Sequence, residues 1–328
     1  EGLVDAVVLP KGALQFVCGG TGDLLERLGP QDVLAFTGSG TTGALLRGLE
    51  AVVHRSTRIN VEADSLNAAI LGPDVQVGDE IFQFFVRDVA KEITQKSGQK
   101  CTAIRRIFVP PALVEGVIDA LGEALGAVPM GDAAAEGVRM GPLATADQRA
   151  DVLDGTAALE QAGAKRVWGD PRTMTLTAGD ADRGYFVAPC LFSAEDARSV
   201  PLVHSREVFG PVATVMSYRD AADVVGLAAL GEGALLSAVY GNDRDFLGEV
   251  ILGLAPHHGR VFVGSKKIVD QAMAPGLVLP SCVHGGPGRA GGGEELGGLR
   301  GMSFYMQRTA VQGDRALLDR ILGSGTSE

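Results

Sequence analysis

SGQKCTAIRRIFVPP, residues Ser97–Pro111, joins a polar loop, a β-type run and a helix start. It follows EIFQFFVRDVAKEITQK (Glu80–Lys96), where Phe82, Phe85, Val89 and Ile93 recur at helical spacing. Ser97 and Gly98 then break the pattern. RRIFVP reads as a strand that Pro110 closes. Pro111 suits the first turn of a helix whose Leu113, Val117, Leu121 and Leu125 form one face. Helix, strand and helix in direct succession predict α/β architecture. The same stretch holds Cys101 in its loop, either a reactive thiol or a small buried apolar group.

Working outward, the alternation continues. LQFVCG (Leu14–Gly19) and DVLAFTG (Asp32–Gly38) read as buried strands, and GTTGALLRGLEAV (Gly40–Val52) as one helix. A helix near Thr145–Ala162 precedes a strand at KRVW. Another near Asp220–Leu230 precedes ALLSAVYG. DRDFLGEVILGLA and GRVFVG close the series as helix and strand. Such alternation predicts largely parallel sheets. HGGPGRAGGGEELGG (His284–Gly298) reads as a loop, too patterned to be a linker.

The formal charge is −11, from 29 basic and 40 acidic residues, which disfavours a phosphate-backbone partner and so nucleic acid. Arg105, Arg106, Arg289, Arg300 and Arg308 are candidates to hold an anionic cofactor. The four cysteines, Cys18, Cys101, Cys190 and Cys282, form no CxxC pair, so neither a metal site nor a disulfide framework is expected. A reducing, cytoplasmic setting follows. No apolar run reaches membrane-span length, and EGLVDAVVLP has no signal-peptide pattern. A start without Met that runs straight into an apolar segment reads as the middle of a longer protein. Cys18 and Cys190 lie in apolar, strand-like surroundings and read as buried thiols. Cys282, bordering the glycine-rich segment, stays open.

Four motifs bear chemistry. FTGSGTTG (Phe36–Gly43) places a strand end, Gly38 and Ser39 before a helix N-terminus. Free N–H groups and the helix dipole there suit an anion, although a plain strand–helix turn has the same pattern. VEADSLN (Val61–Asn67) sets Glu62 after a β-type segment, as a general base or a solvated charge. Cys101 has Lys100 beside it and Arg105 and Arg106 nearby, cations that would favour a thiolate. SREVFGPV (Ser205–Val212) offers Glu207 for hydroxyl groups and Phe209 for a flat ring, or is only a turn.

In this order the motifs resemble the aldehyde dehydrogenase superfamily over nearly the whole chain. FTGS-x3-G is similar to its cofactor-phosphate turn, GQKC to its nucleophile motif, and MGPL, GYFVAP and EVFGPV to weaker marks further on. EADSLN in place of the usual ELGG, and the HGGPGRAGGGEELGG block, resemble a subgroup acting on CoA-linked semialdehydes in aromatic-acid catabolism. The resemblance implies the C-terminal part of a Rossmann-type cofactor domain at 1–64. It also implies an α/β catalytic (thiol) domain at 65–285, then a glycine-rich segment with an oligomerisation strand at 286–328.

It further implies Cys101 as nucleophile and Glu62 as the base for hydrolysis. Gly38, Ser39 and Gly43 would face the pyrophosphate of NADP or NAD, with Glu207 on the nicotinamide ribose and Phe209 beside it. YMQRTAVQG would be the strand through which subunits of a homodimer or higher oligomer exchange contacts. An upstream stretch, with an oxyanion-hole Asn and a cofactor-binding Lys, belongs to full-length relatives, so the chain alone is expected to need it for activity. Two other readings stay open. One is an acylating enzyme in which CoA replaces water, which Glu62 argues against. The other is an inactive fragment or interaction subunit.

Overall fold

The computed structural model describes Gly2, residues 9–271, 274–278, 284–294 and 298–323. Cys282 and the side chain of Arg300 lie outside what is described. Two sheets organise the chain. The smaller pairs β1 (Val33–Thr37) with β2 (Arg58–Glu62) in parallel, joined through α1 (Gly40–Arg47) and α2 (Glu50–Val53). One helix was expected there. Gly48, a poor helix former, caps the first, and Leu49 turns extended before the second.

The chain enters the larger sheet between Glu62 and Asn67. Its strands are β3 (Asn67–Leu71), β4 (Ile104–Val109), β5 (Lys165–Trp168), β6 (Cys190–Ala194), β7 (Val212–Ser217), β8 (Ala234–Tyr240) and β9 (His258–Gly264). They lie in the order β5-β6-β7-β4-β3-β8-β9, parallel except for β5 against β6. Helices cover both faces, so the central strands are buried on both sides and read as continuous apolar runs rather than alternating ones.

The pleat still sorts the side chains. Ala69 and Leu71 of β3, with Ile107 and Val109 of β4, face the layer of α3 (Glu80–Thr94) and α4 (Val114–Gly126). Ala68, Ile70 and Phe108 face the opposite layer, which includes α5 (Ala146–Gln161), α6 (Ala221–Ala229) and α7 (Arg244–Leu254). Phe82, Phe85, Val89 and Ile93, the periodic set in α3, are all at most 1% exposed. Burying each such side chain contributes about 1.5–3 kcal/mol. Val117, Leu121 and Leu125 of α4 are buried in the same layer.

One apolar segment departs from expectation. Leu14–Gly19 forms no strand: Leu14, Phe16 and Val17 are exposed, and Cys18 with them. An apolar run supplies β propensity, but a strand needs an edge to pair with, and no described segment provides one. YMQRTAVQG, expected to pair between subunits, forms no strand within this chain. Tyr305 ends α8 (Gly298–Tyr305), and residues 306–312 are irregular and exposed. A last helix, α9 (Arg315–Leu322), follows. Cys190, by contrast, is fully buried, and burial pushes its thiol up to about 12. Among the described residues no helix is long and apolar enough to cross a membrane.

Candidate active site

A cavity of roughly 650 Å³ opens where the carboxyl ends of β1 and β2 meet the amino ends of β3, β4 and β7. In parallel α/β folds, ligands sit outside the carboxyl ends of the strands. Its wall joins Gly38 and Ser39 after β1, Glu62 at the end of β2, Cys101 before β4, and Glu207 and Phe209 before β7. These residues come from four separate stretches of sequence, and the two sheets bring them together.

The loop carrying Cys101 is tightly specified. Lys96, Ser97 and Gly98 have φ of 54°, 57° and 73°, three successive left-handed residues. For the two non-glycines this costs about 1–2 kcal/mol each, offset by the bonds that hold the loop. Ser97 Oγ donates to Gly141 O at 2.7 Å. Gly98 lies so close to β7's entry that a Cβ there would sit 2.2 Å from the Gly210 carbonyl. Arg105 staples the two loops, donating to Gly98 O at 2.8 Å and to Gly210 O at 2.6 Å. Asn67, fully buried in β3, donates to Cys101 O at 2.8 Å and Ala103 O at 2.9 Å.

The cations near Cys101 are engaged elsewhere. Lys100 Nζ lies 2.8 Å from both oxygens of Glu92. Arg105 is buried and pairs with Glu207 at 3.2 Å. Arg106, 1% exposed, donates to Leu66 O, Leu227 O and Ala228 O and to His204 Nδ1. Burial pushes the Cys101 thiol up, the Glu62 carboxylate adds to that, and the result is about 11. The pull of Lys100 and of the Thr102 N–H toward a thiolate is therefore outweighed by burial and Glu62. The thiol needs a base beside it. Arg105 and Arg106 are likewise strand residues of the interior and not anion binders. Arg289 does line the cavity, 3.6 Å from Asp64 and 2.7 Å from Ser205 O.

The turn after β1 is partly satisfied within the chain. Three of its N–H groups already have protein acceptors: Gly38 on Glu62 O, Gly40 on Asp64 Oδ1 at 2.6 Å, and Thr42 on Ser39 Oγ. Ser39 is thus an N-cap, and its hydroxyl also donates to Thr42 Oγ1. Gly43 lies outside the cavity wall. A Cβ there would sit 2.8 Å from Val61 Cγ1, so the glycine lets α1 pack closely on β2. Glu207 accepts from Arg105 and from the Ser65 N–H at 3.1 Å. Burial pushes its carboxyl up against the pull of Arg105. The Phe209 ring is 38% exposed beside it and carries the Arg105 guanidinium 5.4 Å from its centre.

His284 is the residue the motifs did not single out. It is 3% exposed, with Nε2 3.3 Å from Glu62 Oε1 and 3.8 Å from Cys101 Sγ. The donor atoms of all three residues lie within 4.8 Å of one another. It opens the glycine-rich block, which docks on β2: Ala63 N–H donates to Ala290 O, and Gly293 N–H to Val61 O. A histidine opening so unusual a block was the signal available.

A family model described as aldehyde dehydrogenase family matches residues 2–311. The chain is 44% identical over 285 residues to 3,4-dehydroadipyl-CoA semialdehyde dehydrogenase of Aromatoleum evansii, covering 87% of this chain and 55% of that one. It is 42% identical over 185 residues to the protein MaoC of Klebsiella aerogenes, covering 56% and 52%. Betaine aldehyde dehydrogenase of Staphylococcus aureus, solved with NAD+, has the same fold, with a TM-score of 0.79 at 23% identity over 93% of this chain and 58% of that one. The chain spans about half the length of the curated relatives it matches.

Proposed function

The chain belongs to the aldehyde dehydrogenase family, and from that premise we propose that the whole protein oxidises a CoA-thioester semialdehyde to the corresponding acid. The oxidant is NAD(P)+, the setting is cytoplasmic catabolism of aromatic acids through CoA thioesters, and the assembly is a homodimer or higher homo-oligomer. The meeting of Cys101 and Glu62 on one cavity wall carries the reading. Likeness to the Aromatoleum evansii semialdehyde dehydrogenase supports the substrate class.

Cys101 is the nucleophile. Its raised thiol loses its proton to the neighbouring Glu62 as the sulfur attacks the aldehyde carbon, giving a thiohemiacetal. The Cys101 backbone N–H is one donor to the developing oxyanion. When bound, the nicotinamide supplies the hydride acceptor, which leaves an acyl thioester on Cys101. With that first proton released to solvent, Glu62 takes a proton from water, the water oxygen attacks the thioester, and the acid departs as the C–S bond breaks and the sulfur recovers the proton from Glu62. The residues present fit the nicotinamide end of the cofactor. Phe209 offers an exposed ring face, and each Glu207 oxygen has one protein donor and a further lone-pair direction for a ribose hydroxyl.

The test uses the whole protein, upstream segment included, with a CoA-linked semialdehyde and NADP+ or NAD+. Cys101→Ala is expected to abolish reduced-cofactor formation. Glu62→Gln is expected to give a single burst without turnover. Normal turnover by Glu62→Gln would remove Glu62 as the deacylating base. A product carrying a second CoA in place of the free acid would make the enzyme acylating.

A further inference from the structure

His284 contacts both groups that the proposed chemistry requires, and its ring has only one sensible neutral form. Nδ1 is buried and has no hydrogen-bond partner among the described residues. A proton on Nδ1 would bury an unsatisfied donor, at a cost of about 1–3 kcal/mol. A proton on Nε2 instead points toward acceptors: Glu62 Oε1 at 3.3 Å and Cys101 Sγ at 3.8 Å, within reach of a hydrogen bond to sulfur. Neutral His284 is therefore a donor at Nε2 and not a base toward Cys101.

We propose that His284 is a further catalytic residue whose Nε2–H serves whichever of Glu62 and Cys101 carries the negative charge. In the resting pair the carboxylate accepts it. When the Cys101 S–H bond breaks and its proton forms an O–H bond on Glu62, the charge moves to sulfur and the thiolate accepts it. An N–H set between the two stabilises negative charge on sulfur as well as on the carboxylate, and so lowers the cost of ionising the thiol beside its anionic neighbour. The other charged groups near the sulfur are already paired. Lys100 is held by Glu92 and Gln95, and Arg105 by Glu207. Beside the Thr102 backbone N–H, His284 is the side-chain donor placed to respond.

The inference rests on Cys101 as the nucleophile, but its test needs neither substrate nor cofactor. Iodoacetamide alkylation of the purified chain, with EDTA present, is followed by mass spectrometry at Cys101 across mildly alkaline pH. Cys18, exposed in the same molecule, is the internal reference. His284→Leu removes the N–H at similar bulk. Loss of one pKa unit of thiolate stabilisation is tenfold in thiolate, partly offset by the higher nucleophilicity of a more basic sulfur, leaving about threefold slower alkylation. His284→Gln, which keeps an N–H, is expected to retain most of the parental rate. It also keeps the test valid if the leucine variant folds poorly.

A Cys101-to-Cys18 rate ratio that is unchanged or raised in His284→Leu would overturn the proposal, since a purely packing role opens the site and speeds alkylation. Equal slowing in the glutamine variant would overturn it too. Failure here leaves the dehydrogenase reading standing, and failure of that reading leaves the alkylation result intact.

Discussion

Asn67→Ala tests the framework under the nucleophile loop. The Asn67 side chain donates to Cys101 O and Ala103 O, and its oxygen accepts from Ser65 Oγ at 2.6 Å and Leu236 N–H at 3.0 Å. All four bonds lie in a residue with no solvent exposure. A buried hydrogen bond contributes about 0.5–1.5 kcal/mol net, so four give about 4 kcal/mol. That is a large part of the 5–15 kcal/mol typical of a whole domain. Urea unfolding of the parent and variant, followed by circular dichroism, reads the difference.

Asn67→Asp sharpens the test. It keeps the shape and the acceptor toward Ser65 and Leu236, but faces a carboxylate oxygen to the two carbonyls of the loop. Near neutral pH it is expected to lose about as much as the alanine variant, and to recover stability in acid as the carboxyl gains a proton and can donate. A loss below about 1 kcal/mol in Asn67→Ala would refute the view that this side chain holds the Cys101 loop.

Two further outcomes follow from the same structure. His204 accepts from Arg106 at Nδ1 and donates to Ala197 O from Nε2, and burial followed by the Arg106 charge pushes it down to about 4. The unfolded chain, with an ordinary histidine near 6.5, binds more protons between those values. This contribution to stability is complete above about pH 6.5 and is lost as pH falls toward 4. Melting temperatures of the parent and His204→Gln should therefore converge in acid, and parallel profiles would reject the assignment. Gly98→Ala adds a methyl 2.2 Å from the Gly210 carbonyl, at a left-handed φ. It should change the Cys101 alkylation rate relative to Cys18 and destabilise the chain by more than about 1 kcal/mol. An unchanged ratio and an unchanged melt would show that the two loops are not locked together.

Much of the larger sheet was legible locally. The 3.6-residue recurrence of Phe82, Phe85, Val89 and Ile93, and the proline pair Pro110 and Pro111, mark boundaries through backbone geometry alone. They appear where that geometry puts them. Leu14–Gly19 was misread because its composition suits a strand while its pairing depends on an edge elsewhere.

At the site, the sequence by itself determined which residue types carry chemistry: a thiol at Cys101, a carboxylate at Glu62, a glycine turn at Gly38. Only the tertiary structure decided their electrostatics. Lys100 and Arg105, close in sequence to Cys101, are drawn away by Glu92 and Glu207, whereas His284, distant in sequence, is brought against the sulfur. Sequence proximity says little about charge, because Coulomb and hydrogen-bond energies depend on distance and burial in the folded chain. Those distances exist only after the two sheets and the glycine-rich block have packed together.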